Sequence, residues 1–442
     1  MPVTYYFISD LHIGGDEALG VCDYEAELIA FLEELAARPG EAELIIVGDI
    51  FGLWEFTDIE GPAKFNKLIQ QFPAILAAFK KAGEKLKITM LPGNHDYEIA
   101  CYPEFVEKLA GYNIHLEQTP AILREIDGRQ IWIEHGNQYD AYNRMPDFGN
   151  PHAHPIGYFI TSNAVSTAGK HSQFGRYNWL KDIQSVYPTE QVPYWIFSNY
   201  FYHEMSGFLR WLLLPFLLFT GFEIFILGGA ALEWFGVTST NIFLNNWLFQ
   251  SLGFVGNLVQ LILIINTVLF VNFLVLAVPL YFIWRDARAT LARFQLVLNP
   301  ADLSSEKEEK YLAAARIIFQ EHPAVSIFIY GHTHKPSLRQ FGQRVVINTG
   351  TWLKRFAEVP PRVGFLPRIY VPFYCLNYFQ VYAVGAQIAI EYHTIDKAPP
   401  RDLTFLQRLL VSRRYLPVPE DIPRRTLLEG EPGEKADKKP GE

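Results

Sequence analysis

The stretch VTYYFISDLH (residues 3–12) shows the clearest pattern in the chain, an apolar run that ends in the polar residues Asp10 and His12. ELIIVGD (residues 43–49) repeats this pattern with a second apolar run that ends at Asp49. Val, Ile, Tyr and Phe favour β-strands, and open α/β sheets carry their sites at the carboxyl ends of strands. The two stretches therefore predict strands whose ends carry chemistry.

Strand-like and helix-like segments alternate over the first and the last third of the chain. We predict strands at residues 3–9, 43–48, 85–91, 130–134, 325–330, 345–348, 375–384 and 387–393, and helices at residues 24–37, 63–82, 103–110 and 304–321. Such alternation indicates an α/β fold, a sheet with helices on its faces. Residues 1–150 and 301–398 are therefore expected to build one domain, interrupted by an insertion at residues 151–300.

The insertion holds most of the apolar excess of the chain. Half of the 442 residues are hydrophobic and 19% are charged, whereas about a quarter are charged in typical soluble domains. Residues 207–235 and 253–284 each supply the roughly 20 apolar residues that a membrane-spanning helix needs. Because Arg210 and Arg285 stand at the outer ends and no charge lies between Trp234 and Trp284, we predict a helical transmembrane hairpin whose ends face the cytoplasm.

Two other interpretations of the hairpin stay open. The two helices could be buried in a soluble cap, or the hairpin could dip into one leaflet only. Glu223 and Pro215 disfavour a simple span in the first run, because an unpaired carboxylate in hydrocarbon is costly.

Charge and cysteine content limit the partners and the compartment. Lys and Arg number 38 against 47 Asp and Glu, and the resulting charge of −9 argues against broad nucleic-acid binding. Three cysteines without a CxxC motif give no disulfide framework and fit a reducing compartment. Residues 1–9 lack the features of a signal peptide, so we expect a membrane protein whose catalytic domain is cytoplasmic.

The C-terminal segment, residues 399–442, is expected to lie outside the core. RDLTFLQRLLVSRR (residues 401–414) is typical of a basic amphipathic helix on a membrane surface, and equally of an ordinary docking helix. From about Arg413 onwards, Pro, Gly and balanced charge indicate a disordered tail.

Five short polar clusters lie at or near the predicted strand ends: DLH (10–12), GD (48–49), GNHD (93–96), HG (135–136) and GHTH (331–334). In DLH and GHTH the polar residues stand at i and i+2, which face the same side of an extended chain. Carboxylate, imidazole and amide groups without thiolate suit Mn, Fe, Zn or Mg ions. The candidate metal ligands are Asp10, His12, Asp49, Asn94, His135, His332 and His334.

The charge of such a site indicates a reaction on phosphate. Two divalent ions beside Asp10 and Asp49, with a hydroxide between them, leave a net charge of about +1, and bound water reaches a pKa of about 7. Asp49, at the end of a very apolar strand, is the natural residue to bridge both ions. His95, followed by Asp96, is a candidate proton donor to the leaving oxygen.

In this order, the five clusters resemble the motifs of the calcineurin-like metallophosphoesterase superfamily, over roughly residues 3–140 and 325–393. The resemblance implies a four-layer α/β fold, a β-sandwich flanked by helices. It implies one metal ion held by Asp10, His12, Asp49 and His334, and a second held by Asp49, Asn94, His135 and His332. It also implies that His95 meets the phosphate or leaving group, with Asp96 orienting it, and that Asn94 belongs to the catalytic set.

Within the superfamily the chain is similar to the bacterial UDP-2,3-diacylglucosamine hydrolases, whose insertion forms a helical lid over acyl chains. The shared features are GDIFGLW at 48–54, GHTHKP at 331–336 and an insertion between His135 and His332. The chain departs from them at His95, where they carry Arg, and at Asn137, where they carry Asp. Its insertion is also far longer and more hydrophobic.

The expected function is that of a membrane-associated phosphoesterase in which metal-activated water hydrolyses a phosphate ester or pyrophosphate bond of a lipid-linked substrate. The alternatives are a phosphatase or phosphodiesterase for soluble or protein substrates, with the hairpin only as anchor, and a non-catalytic membrane scaffold. Arg176 and Lys181 are candidate phosphate contacts, although an ordinary packed cap explains them as well. Tyr139, Asp140 and Asn143 are expected to support the metal ligands.

Overall fold

The computed structural model of the chain describes residues 3–16, 20, 22–166, 180, 182–187, 191–239, 242–243, 247–293, 303–364, 366–411 and 421–429. The chain divides into two compact units. The core unit comprises Met1–His203 and Asn299–Glu442, and the helical unit comprises Glu204–Leu298. The assignment of residues 151–300 to a cap stays a prediction.

The secondary structure alternates as the sequence predicted. The strands are β1 (Thr4–Ile8), β2 (Ala42–Val47), β3 (Lys87–Leu91), β4 (Ile114–Leu116), β5 (Ala121–Ile126), β6 (Arg129–Glu134), β7 (Val325–Tyr330), β8 (Ser337–Phe341), β9 (Arg344–Asn348), β10 (Arg355–Val359), β11 (Ile369–Phe373), β12 (Leu376–Val384), β13 (Gln387–Ile395) and β14 (Arg425–Leu428). The α-helices are α1 (Glu25–Ala37), α2 (Ala63–Gln71), α3 (Pro73–Ala82), α4 (Glu98–Cys101), α5 (Glu104–Ala110), α6 (Ile156–Phe159), α7 (Val192–Asn199), α8 (Gly207–Trp234), α9 (Trp247–Ser251), α10 (Gly253–Arg293), α11 (Leu303–Glu321) and α12 (Phe405–Leu410).

Two mixed sheets carry the core unit. The first has the strand order β14-β13-β12-β1-β2-β3-β4, in which β1 to β4 run parallel, with Phe7 beside Ile45 and Ile45 beside Thr89. The second has the order β5-β6-β7-β9-β8, with β6, β7 and β9 parallel at its centre. Strands β10 and β11 form a separate antiparallel hairpin.

The two sheets enclose an apolar core between them. Phe7 of the first sheet and Ile329 of the second belong to this core, and both are fully buried. A second core, which includes Ile46, lies between the first sheet and helices α1, α2, α3 and α5. A third, which includes Phe328, lies between the second sheet and α11. Helices, sheet, sheet and helices therefore form four layers, and the predicted fold class is confirmed.

The predicted helix over residues 63–82 is wrong as one helix. It is two helices, α2 and α3, that are separated at Phe72. Pro73 has no amide hydrogen to donate into a continuing helix, and its fixed φ suits the first turn of a new one. The predicted strands are present within two residues of their predicted ends, whereas β4, β5, β8, β10, β11 and β14 were not predicted.

The C-terminal segment takes part in the core. Strand β14 pairs antiparallel with β13, and its Leu428 is fully buried between the sheets. The predicted disorder is therefore wrong for Arg425–Leu428. These residues form a short strand whose side chains alternate between exposed and buried, and the balanced charge of the segment gave no indication of it. The predicted helix at residues 401–414 is observed only as α12, and residues 412–420 and 430–442 lie outside the described residues.

The helical unit contains the two predicted apolar helices, α8 and α10. By length and composition alone, Gly253–Ala287 of α10 can cross a membrane, and it is the one such helix among the residues that the structure describes. The side chains at positions 211–219 of α8 lie outside that description. Glu223 of α8 is not unpaired, because Asn266 Nδ2 of α10 donates to its Oε2 at 2.8 Å.

We expect Trp352→Ala to lower the free energy of unfolding by about 3–5 kcal/mol, the range for emptying a large buried aromatic site. Trp352 is fully buried against Tyr24 and Phe31, and its indole nitrogen donates to the Asn377 carbonyl at 3.0 Å. Urea unfolding in detergent, followed by circular dichroism, measures the change. Phe341→Ala, at a side chain that is 41% exposed, is the control and should cost no more than about 0.5 kcal/mol. Equal urea midpoints for the two variants would contradict this packing role.

Candidate metal centre

Strand ends bring the predicted metal ligands together in the core unit. From the first sheet, Asp10 and His12 follow β1, Asp49 follows β2 and Asn94 follows β3. From the second sheet, His135 follows β6, and His332 and His334 follow β7. Because the contributing strands run parallel within each sheet, their carboxyl ends open at the same edge.

Asp10, His12 and His334 form one group whose ligand atoms all lie within 4.8 Å of one another. The Nε2 atoms of the two histidines are 3.1 Å apart. Asp10 Oδ1 lies 3.8 Å from Nε2 of His12 and 3.3 Å from Nε2 of His334. Two imidazole nitrogens and a carboxylate oxygen around one small space are a ligand set for a divalent cation.

Asp49, His135 and His332 form a second group, whose ligand atoms also lie within 4.8 Å of one another. We call these two sets of residues the metal-type groups. His135 Nε2 lies 3.2 Å from Asp49 Oδ2 and 3.2 Å from Asn94 Oδ1. The other ring nitrogen of His135 donates to the Val47 carbonyl at 2.8 Å, which fixes the ring with Nε2 toward the group. Asp49 Oδ2 is also 3.7 Å from His12 Nε2, so this carboxylate stands between the two groups.

The backbone is strained where these ligands lie. Asp10, His12, Asp49, His332 and His334 all have positive φ, between 49° and 67°. Such conformations cost of order 1–3 kcal/mol each and persist where the surrounding structure imposes them, typically at functional sites. The strain thus marks the two groups as the site.

Close backbone approach is required between the loops after β2 and β3. A Cβ on Gly93 would collide with the Asp49 carboxylate, and a Cβ on Gly48 would collide with the His135 ring. Gly48 also has a φ of +81°, a conformation that side chains disfavour. The GD and GNHD clusters therefore need their glycines to let the ligands converge.

The charges of the site suit a cation. Burial alone would raise the pKa values of Asp10 and Asp49, but the surrounding histidines hold both below the ordinary range. Burial lowers the pKa of His334 to about 4, so this ring is neutral at pH 7. Burial would also lower the pKa of His135, but Asp49 raises it to about 10, and a bound cation would displace that proton.

The residues present therefore fit a pair of divalent metal ions. Asp10 Oδ1 is buried and accepts no hydrogen bond from the described residues. A buried carboxylate oxygen without a partner is costly, and a cation between Asp10, His12 and His334 would remove that cost.

His95 lies beside the two groups and is held by Glu55. Its Nδ1 is 2.9 Å from Glu55 Oε1, and the Trp54 ring lies against it at a centroid distance of 4.5 Å. Burial alone would lower the pKa of His95, but the Glu55 charge raises it to about 9. Glu55 is 1% exposed and was not predicted, because its position shortly after the GD cluster gave no sign that it would be buried.

The expectation that Asp96 orients His95 is wrong. One Asp96 oxygen accepts from the amides of Ile50 at 2.9 Å and Phe51 at 3.3 Å, and the other accepts from the Gly93 amide at 2.6 Å. Asp96 therefore ties the loop after β3 to the loop after β2, and Glu55 takes the role expected of Asp96.

Further polar residues support the ligands. Asp140 Oδ2 lies 3.0 Å from His332 Nε2, a distance at which Asp140 can orient this ligand. Ser9 donates to the Asp10 carboxylate, and Thr351 donates to the Asp10 carbonyl at 2.7 Å. Thr351 belongs to the segment INTGTW (347–352) at the end of β9, and the same pattern of polar residues after an apolar strand could have pointed to it.

A cavity in the core unit opens onto both groups. Its polar lining comes from Asp49, Glu55, Asn94, His95, Asn143, Thr161, His332 and His334. The rest of its lining is Tyr142, Gly157, Ile160, Ile183, Val186, Tyr187 and Val192. Arg176 and Lys181, the predicted phosphate contacts, lie outside the described residues.

A model of the calcineurin-like phosphoesterases matches residues 3–228, slightly over half of the chain. The chain belongs to the calcineurin-like phosphoesterase family. It is a metal-dependent phosphoesterase, and its family uses two divalent metal ions. His332 and His334 lie beyond the matched residues, yet the structure brings them to the ligands within the match.

Other similar proteins are more distant. The DNA polymerase II small subunit of Methanothermobacter thermautotrophicus is 26% identical over 158 residues. The matched segment is 32% of this chain, and the chain spans about a third (32%) of that relative's length. The structure of a conserved uncharacterized protein (predicted phosphoesterase) from Streptococcus pneumoniae is 10% identical, with 90% of this chain and 94% of that chain covered and a TM-score of 0.27. Phosphopantetheinyl hydrolase from Mycobacterium tuberculosis is also 10% identical, with 79% and 90% covered and a TM-score of 0.25. These similarities identify no substrate for the chain.

We expect Asp49→Asn to lower kcat by at least about 100-fold while the fold is retained, because a neutral amide cannot supply the shared negative charge. Hydrolysis of bis-p-nitrophenyl phosphate with Mn²⁺, together with elemental analysis of bound metal, measures the loss. Asp127→Asn is the control, since Asp127 is exposed and has a similar φ of 49°. Full activity in Asp49→Asn would show that this carboxylate holds no metal needed for turnover.

Proposed function

We propose that the chain is a membrane-anchored phosphoesterase that hydrolyses a phosphate ester or pyrophosphate bond in a lipid-linked substrate. The observation that carries the proposal is the mixed lining of the cavity. His334 of the first metal-type group, and Asp49 and His332 of the second, share one cavity with aliphatic side chains. These are Ile160, Ile183, Val186 and Val192.

The aliphatic part of the lining supports an apolar group next to the phosphate. Ile183 and Val186 are 2% and 6% exposed and pack in one cluster with Trp195 and Tyr370, so this wall is firmly held. Phosphate alone needs only the polar part of the cavity. Each buried square ångström of apolar surface contributes about 25 cal/mol, so a hydrocarbon group against this wall would add affinity that a small soluble phosphate lacks.

The exposed surface of α10 supports membrane anchorage. Only 11% of its most apolar stretch of 18 residues is buried within the structure. Large side chains such as Phe254, at 82% exposed, and Phe273, at 65% exposed, lie in this helix. A soluble protein rarely exposes so continuous an apolar surface. In this proposal, Arg210 and Arg285 keep the ends of the hairpin, and hence the catalytic unit, in the cytoplasm.

The two metal-type groups supply the ligands in the proposed mechanism. Asp10, His12, Asp49 and His334 would hold one ion, and Asp49, Asn94, His135 and His332 would hold the other. Such ions, when bound, polarise the phosphoryl oxygens and lower the pKa of water. The bond between Asp140 and the His332 ring keeps that ligand oriented.

His95 supplies the proton in the proposed mechanism. Glu55 accepts from its Nδ1, so Nε2 is the nitrogen that remains for the leaving-group oxygen. The Glu55 charge keeps the His95 ring protonated near pH 7, and Trp54 limits its movement. Protonation at the moment of bond cleavage matters most when the leaving alcohol is a weak acid.

We expect Glu55→Gln to lower kcat about 10- to 100-fold for an alkyl phosphate ester, and less than about threefold for a p-nitrophenyl ester, whose leaving group needs no proton. Steady-state kinetics on the two esters measure the difference. Glu60→Gln, at an exposed position, is the control. An equal loss on both esters would mean that Glu55 only stabilises the fold.

We expect kcat/KM to rise with chain length in a series of alkyl p-nitrophenyl phosphodiesters, from methyl to dodecyl, at about threefold to fourfold per buried methylene. Val186→Thr, a change that conserves volume but adds a hydroxyl, should flatten this rise and leave the methyl ester unchanged. The purified protein with Mn²⁺ in detergent is assayed below the critical micelle concentration of each ester. A flat series, or turnover of soluble nucleotides alone, would exclude the lipid-linked substrate and favour the soluble one.

A further inference from the structure

We propose that the core unit has its own membrane-binding surface, in addition to the apolar helices of the helical unit. Three segments form it: residues 194–199 of α7 with Tyr200 directly after it, residues 361–364 and 366–368 of the loop between β10 and β11, and α12. We call it the hairpin surface, after the β10–β11 hairpin of the core unit and not after the apolar helices α8 and α10. The proposal rests on the membrane anchorage proposed above, and it adds the part of the catalytic unit that would meet the lipid.

Helix α7 presents an aromatic stripe to solvent. Tyr194 and Phe197 of α7 are 56% and 60% exposed, and Tyr200, directly after the helix, is 40% exposed. Their spacing of three residues places them on one side of this helical segment. The buried side holds Trp195, whose ring packs on Phe356 of β10 at a centroid distance of 5.8 Å. The stripe is therefore held on a packed helix.

The loop of the β10–β11 hairpin is bonded to α7. Ser198 of α7 donates to the Arg368 carbonyl at 2.7 Å, and Tyr202, just beyond α7, donates to the Pro367 carbonyl at 2.7 Å. The loop itself exposes Arg362, and Val363 is 37% exposed. These contacts join an aromatic helix to a loop that mixes apolar and basic side chains.

Helix α12 is joined to the same loop. The Arg362 amide donates to the Leu410 carbonyl at 3.0 Å, and Pro361 forms an antiparallel bridge with Val411. Phe405 and Leu409 of α12 are 78% and 58% exposed. Thr404 and Gln407 form a capping box that fixes the start of the helix.

The charge of these segments distinguishes them from the rest of the molecule. The chain as a whole has a charge of −9. The hairpin surface and the residues that lead into α12 have four arginines, Arg362, Arg368, Arg401 and Arg408, against one acid, Asp402. Arg368 also pairs with Glu358 at 2.7 Å. A basic region on an acidic protein complements an anionic membrane, which attracts Arg and Lys side chains near its surface.

A lipid bilayer is the occupant that fits this composition. Aromatic and aliphatic side chains with arginines among them are typical of segments that lie at a membrane interface. Seven residues, Tyr200 to Ser206, separate α7 from the start of α8. They span at most about 25 Å, so insertion of the apolar helices would keep the end of α7 close to the membrane. The helix that carries the stripe also contributes Val192 to the lining of the cavity.

Environment-sensitive labelling tests the hairpin surface. Phe197→Cys and the control Leu123→Cys, at a side chain that is 42% exposed in β5, are labelled with the fluorophore NBD in the full chain. The parent chain, whose three cysteines are half-buried, gives the background. Both proteins are reconstituted into vesicles of phosphatidylcholine and phosphatidylglycerol, and quenching by doxyl-labelled lipid is compared with quenching by aqueous iodide.

We expect a blue-shifted emission at position 197, several-fold stronger quenching by the doxyl lipid than at position 123, and protection from iodide. If the protein floats with the vesicles but both labels are quenched equally by iodide, the hairpin surface is refuted and the membrane anchorage stands. If the protein does not float with the vesicles, the anchorage fails and the hairpin surface fails with it.

Discussion

The burial of two carboxylates is the constraint on which the site depends. Asp10 and Asp49 are 0% and 1% exposed, and a charge removed from water in this way is costly unless an opposite charge or a metal compensates it. The surrounding partners are imidazoles that come from both sheets. The left-handed backbone at the ligands and the close approach at Gly93 bring these groups within a few ångströms. A pair of divalent cations in this ligand set would compensate the buried charges that the strained loops bring together.

The same constraint explains the polar residues behind the site. Asp96 binds backbone amides of two loops, and Thr351 binds the Asp10 carbonyl, so both act on the backbone that carries the ligands. They hold the loops at a spacing that the ligands alone would not maintain, since the buried carboxylates repel one another without a cation. Glu55 differs, because its partner His95 lines the cavity and can reach a substrate.

The sequence predicted the layers and the ligands because both obey local rules. Apolar runs that end in Asp10, Asp49 or His332 mark where a strand stops and which ligand comes directly after it. The roles of Glu55 and Asp96 depend on how two loops fold against each other, and no local pattern encodes that. The two-stranded β10–β11 hairpin was missed for a similar reason. Strand β10 is mostly half-buried and β11 is buried over four of its five residues, so neither strand shows the alternation of buried and exposed side chains that marks a strand in sequence.

The helical unit lies in the sequence between two strands that each lead into ligands of the site. His135 and His332 follow β6 and β7, which are parallel neighbours, although roughly 200 residues separate them in sequence. Closing so long a loop costs only about 2 kcal/mol more than closing a loop of 20 residues, so pairing of the two strands tolerates the insertion. The second metal-type group is complete only after that pairing has occurred. Assembly of the catalytic centre therefore requires that the chain on both sides of the apolar helices returns to one sheet.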